Sequence, residues 1–85
     1  MVWVTKAEIR DSYNVYVEFN DGLNGIINLF NVINNDHRLI VKELINIDIF
    51  KTLNTELDTL CWDNGVDFAP EYLYEQLKNQ QKAAA

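Results

Sequence analysis

Three side chains in this sequence have chemistry beyond holding a fold: Asp63 and Asp67, which flank Asn64-Gly65-Val66, and His37, the single histidine. Carboxylate and amide oxygens are ligands for hard divalent cations. The loop lacks the spacing and closing Glu of a calcium-binding loop, and its residue types have a structural use. Asn-Gly is turn chemistry, and an aspartate ahead of a helix can cap or brace it through backbone N–H groups. Asn64-Gly65 is therefore expected to turn the chain and Asp67 to brace the next helix. His37 lies between Asp36 and Arg38 in a polar stretch, without the nucleophile or acid–base partner that a catalytic histidine needs. Cys61 falls in an apolar segment, where a thiol behaves as a small hydrophobe. No local signature supports a Cys61–His37 dyad. Glu56 with Asp58, and Glu71 with Glu75, read as a turn and a solvated helix face. No catalytic residue, metal ligand or cofactor is expected. The alternative is a small metal- or ligand-binding protein or enzyme using the Asp63–Asp67 loop and His37.

The aromatic residues offer a different chemistry. Core packing is the expectation for most of Trp3, Tyr16, Trp62, Tyr72 and Tyr74. Tyr16 falls on the polar face of its strand and Tyr72 lies off the apolar stripe of its helix. Tyr and Trp dominate binding hot spots, so Tyr16, Trp62 and Tyr72 are the candidate partner-binding residues.

These residues need a scaffold, and 85 residues with 48% apolar content allow one small core. Stability is marginal at this size, because only about 60% of the unfolded surface is buried. Residues 1–82 are expected to form one domain, and Ala83-Ala84-Ala85 reads as a cloning remnant. The net charge of −6 opposes direct contact with nucleic acid, and the seven basic residues form no run. An acidic surface suits a basic protein partner. One cysteine excludes an internal disulfide and fits a reducing, cytoplasmic setting. No segment approaches a membrane span of about 18 apolar residues.

The pattern along the chain predicts an α+β fold. Val2 to Ile9 suits a strand, and Arg10-Asp11-Ser12 a turn. Tyr13, Val15, Val17 and Phe19 alternate with polar neighbours as a second strand. Asn20-Asp21-Gly22 signals a hairpin of type I′, and Leu23, Gly25, Ile27 and Leu29 form a third strand. The result is an antiparallel three-stranded meander. Short helical turns follow, one at Phe30 to Ile33 broken by Asn34-Asn35-Asp36, another at Ile47 to Phe50. Lys51 to Thr55 and Thr59 to Trp62 read as a second, short strand pair. Pro70 suits the first turn of a C-terminal helix packed on the sheet, with Glu71 at its positive end. Leu73, Tyr74 and Leu77 form the inward stripe of that helix.

Phe19-Asn20-Asp21-Gly22, Ile49-Phe50, and Trp62-Asp63-Asn64-Gly65-Val66-Asp67 with Pro70-Glu71-Tyr72-Leu73-Tyr74 together resemble a bacterial family named only as domain of unknown function 2442. On that resemblance Asp21, Gly22, Trp62, Asn64, Gly65, Asp67, Pro70, Leu73 and Tyr74 form its structural motif. The chain departs from the usual pattern at Asp63, where Pro is frequent, and at Ala69, where a capping Ser is frequent. The resemblance implies no activity and hence no catalytic residue. Members are similar to the N-terminal domain of a helix-turn-helix protein; the end of this chain soon after its last helix predicts no such appendage. Stand-alone members are often encoded beside a second small protein, in a layout resembling toxin–antitoxin pairs. The expected role is a non-enzymatic interaction module, the antitoxin-like or accessory partner of a neighbouring small protein. Unpaired sheet edges also make a homodimer an option.

Overall fold

A computed structural model of the chain describes residues 1–84. Three antiparallel strands form its sheet in the order β1 (Val4–Asp11), β2 (Asn14–Phe19) and β3 (Asn24–Asn28). The alternation read in the sequence sets the faces: Val15, Val17 and Phe19 of β2 and Ile27 of β3 are buried, while Tyr16 and Glu18 point the other way. The register pairs Val17 with Ala7 on one side and Gly25 on the other. Shifts of register near Thr5 and Arg10 mark bulges at both ends of β1.

The first hairpin departs from the expected type I′ turn. Only Gly22 has positive φ (95°); Asp21 does not. The Phe19 N–H donates to the Leu23 carbonyl at 2.8 Å and the Gly22 N–H to the Phe19 carbonyl at 3.0 Å. This is a three-residue loop closed by a glycine bulge, which needs one left-handed residue rather than two.

Four short helical pieces follow: α1 (Phe30–Asn35), α2 (Leu39–Lys42), a 3-10 turn (Glu43–Ile45) and α3 (Ile47–Phe50). Asn46 caps α3, its side-chain oxygen accepting from the Asp48 N–H. From each piece one or two side chains reach the core, namely Val32 and Ile33, Val41, Leu44 and Phe50.

The expected second strand pair is reduced to isolated bridges, Asn54 with Cys61 and Cys61 with Asp67. The segment after Leu60 folds back on itself. The Trp62 N–H goes to the Val66 carbonyl at 2.9 Å and the Phe68 N–H to that of Leu60 at 3.3 Å. Its backbone groups are thus shared between two neighbours, and neither pairing extends into a ladder.

The C-terminal helix α4 (Pro70–Ala84) buries Leu73 and Leu77 against the sheet, and Tyr74 packs beside them. Ala83 and Ala84 continue this helix; Ala85 lies outside the described residues. Sheet, short helices and α4 enclose one continuous core. Among the described residues no helix is long and apolar enough to cross a membrane.

Candidate functional site

The two motif segments have one geometry. In Trp62-Asp63-Asn64-Gly65-Val66, Gly65 has the same φ as Gly22 (95°), and its N–H donates to the Trp62 carbonyl at 3.0 Å. The Val66 N–H donates to Asn64 Oδ1 at 3.2 Å, as the Leu23 N–H does to Asp21 Oδ1 at 3.0 Å. Both are the same aromatic–x–Asx–Gly–aliphatic turn, in which the Asx side chain bonds its own backbone two residues on. The free end of each Asx then holds a distant element. Asp21 Oδ2 accepts from the Tyr74 hydroxyl at 2.5 Å, joining the hairpin to α4. Asn64 Nδ2 donates to the Ile40 carbonyl at 3.3 Å and to Glu43 Oε1 at 3.2 Å, joining its turn to α2 and the 3-10 turn.

The bond from Tyr74 is the main reason the Asp21 carboxyl lies below its ordinary range, with the Leu23 N–H adding to it. The same bond raises the Tyr74 hydroxyl.

Asp67 does not cap α4. The Leu73 N–H donates to the Ala69 carbonyl at 3.2 Å, so Ala69 occupies the cap position and has no side chain to serve there. Asp67 is bridged through its backbone to Cys61, and its charge faces Arg38. Arg38 lies over the Phe68 ring at 5.7 Å and is bonded to Asp36, which holds the Asp36 carboxyl below its ordinary range. Asp36, Arg38, Asp67, Phe68 and Tyr72 line one hollow.

Asp63, Asp67 and His37 are all exposed. Asp63 gives its N–H to Thr52 Oγ1 at 3.1 Å. Among the described residues no group of three or more His, Cys, Asp or Glu could hold a metal. Cys61 is buried, with Sγ donating to Asn54 Oδ1 at 2.8 Å.

The three candidate aromatics do not form one patch. Trp62 is only 3% exposed, and its Nε1 donates to the Phe50 carbonyl at 3.0 Å. It is a core residue and presents no face to a partner, because an indole of this size fills the space between Phe50 and Phe68. It belongs to a run of rings, Phe30–Tyr13–Phe50–Trp62–Phe68–Tyr72, with successive centroids 5.5, 5.0, 5.9, 5.7 and 6.1 Å apart. Both ends of that run are exposed, Phe30 at one and Tyr72, stacked on Phe68, at the other. Tyr16 stands apart on the outer face of the sheet, under Arg10 at 4.8 Å and bonded to Glu18.

Sequence reading missed a group with a clearer surface role. Phe30, Leu39, Ile40, Ile45 and Ile47 are all exposed, Leu39 at 82%. All five come from the short helices between Phe30 and Ile47. Tyr13 joins two of them: its ring lies against Phe30 and its hydroxyl donates to the Ile45 carbonyl. The available signal was adjacency, since Leu39-Ile40-Val41 places three apolar residues in a row on a helix that buries only Val41.

The family model described as "Protein of unknown function (DUF2442)" matches residues 4–79. No curated protein and no solved structure matches the chain. The match spans both Asx–Gly turns and the start of α4, and the chain belongs to this family of unknown function.

Proposed function

We propose that this protein is a non-enzymatic interaction module whose partner is another small protein, with this chain as the antitoxin-like or accessory half of the pair. One observation carries the reading: exposed Phe30, Leu39, Ile40, Ile45 and Ile47 are concentrated in one stretch of short helices. A lone exposed Leu is ordinary, whereas apolar side chains gathered in one region mark association surfaces. The remaining motif residues support it by being occupied: Asp21, Asn64, Trp62 and Tyr74 each hold another part of the fold. The net charge of −6 favours a basic partner over nucleic acid.

Co-expression with a candidate small partner, first of all any small protein encoded beside it, is the test. The two are expected to co-elute, and Leu39→Asp to abolish co-elution while leaving the melting temperature unchanged. If the neighbouring protein never binds the wild-type chain, the proposal fails.

A further inference from the structure

The two edges of the sheet are treated differently. On β3 the residues that turn their backbone groups outward are Asn24, Ile26 and Asn28. Gln80 of α4 accepts from the Asn28 N–H at 2.8 Å and donates to the Asn28 carbonyl at 3.1 Å. Gln81 donates to the Asn24 carbonyl at 3.0 Å. Two glutamine amides thus stand where a fourth strand would bond, and that edge is closed.

Among the described residues no such cover reaches β1 at Ala7 and Ile9. The Phe19–Leu23 and Tyr13–Leu29 bonds show that odd-numbered β2 residues bond toward β3. Tyr16 and Glu18 therefore bond toward their β1 partners Glu8 and Lys6, which leaves the N–H and carbonyl groups of Ala7 and Ile9 pointing away from the sheet. Among the described residues no hydrogen bond from outside the sheet reaches either. Three residues before Ala7, the Val4 N–H already bonds the Asp58 carbonyl at 2.9 Å, so this edge accepts a backbone partner where one is within reach.

We infer that the β1 edge docks an extended segment of a different protein, by strand addition at Ala7 and Ile9. This rests on the interaction-module reading and names a second surface for it. The charges select the occupant. Lys6, Glu8 and Arg10 alternate along the outer face of β1, with Glu8 Oε2 3.4 Å from Lys6 Nζ and 3.9 Å from Arg10 Nη2. A second copy related by a two-fold axis pairs antiparallel. The register that uses Ala7 and Ile9 of both copies sets Glu8 against Glu8 and Lys6 against Arg10, and like charges directly opposite destabilise a pair. The matching segment carries acidic, basic and acidic residues on its outer positions. Its inner positions are apolar, continuing the face on which Ala7 and Ile9 pack against the core.

The probe is a short synthetic peptide with Glu, Lys and Glu outward and Val inward, added to the full chain while amide exchange is followed by NMR. In the free protein the Ala7 and Ile9 amides are expected to exchange fast, and the peptide to slow both by about tenfold or more. The same peptide N-methylated along its bonding side is expected to have no effect, and one with Lys, Glu and Lys outward to act more weakly. No slowing, equal slowing by the N-methylated or charge-reversed peptide, or protection that grows with protein concentration alone would each overturn the inference. The last result would identify a second copy as the occupant. Because the probe is synthetic, its failure leaves the Leu39 test standing, and failure of the neighbouring protein to bind leaves this one standing.

Discussion

Gly22 and Gly65 show how little freedom a motif residue can have. A Cβ at either position would meet nothing within 4 Å, so substitution is costly for conformation alone: φ is 95° at both. Forcing an L side chain into the left-handed region costs about 1–2 kcal/mol. Gly22→Ala and Gly65→Ala are each expected to lower stability by that amount in urea unfolding, and the double substitution by roughly the sum, since the turns lie in separate parts of the fold. The Asp21–Tyr74 bond adds a pH dependence of defined sign. The Asp21 carboxyl is depressed in the folded chain, so its contribution is present above the unfolded value of about 4 and is lost as pH falls through the lower folded value. The Tyr74 hydroxyl is raised, so its contribution is present below about 10 and is lost as pH rises through the folded value. Tyr74→Phe should remove the alkaline limb and shrink the acid limb to the part that the Leu23 N–H sustains. Urea midpoints across pH would check it, and an unchanged acid limb would contradict the assignment.

Among the elements, α4 has two tasks. Leu73 and Leu77 fill the core, and one turn later Gln80 and Gln81 take the same side of the helix to the β3 edge. Gln80→Ala is expected to cost about 1 kcal/mol and to speed hydrogen exchange at the Asn28 amide. Exchange at that amide unaffected by the change would show that the edge is closed by something else. The helix itself was legible from Pro70 and the Leu73–Leu77 spacing, because punctuation and periodicity are local. The edge role of the glutamines was not, because polar residues past the apolar stripe read as solvated until the neighbouring strand is in place. For the same reason the second strand pair was over-read. Lys51 to Trp62 has strand-like residues, but a Trp-led Asx–Gly turn within hydrogen-bonding reach competes for the backbone of Leu60 to Trp62.

At the scale of the whole molecule the run of rings from Phe30 to Tyr72 joins α1, α3 and α4 through the turn before β2 and the segment from Trp62 to Phe68. Trp62 lies inside it, between Phe50 and Phe68. Trp62→Ala is expected to cost about 3–5 kcal/mol, a large part of the 5–15 typical of a domain, and circular dichroism should find the variant largely unfolded near physiological temperature. Such a loss would confirm a core role for a residue whose type alone recommended it as a binding anchor. Type and spacing recovered the α+β class and the three-stranded meander, since these follow from local alternation and turn chemistry. They left the surface of the short helices unread: the adjacency of Leu39, Ile40 and Val41 shows that not all three can face inward, but only the packed fold separates Val41 and Leu44 from Leu39 and Ile45. That surface is where the functional account stands or falls. Titration calorimetry of the chain and its Leu39→Asp variant against a small protein that co-purifies with the wild-type chain tests it most directly. The account predicts that affinity falls by about tenfold or more with the urea midpoint unchanged; equal affinity of the two chains would contradict it.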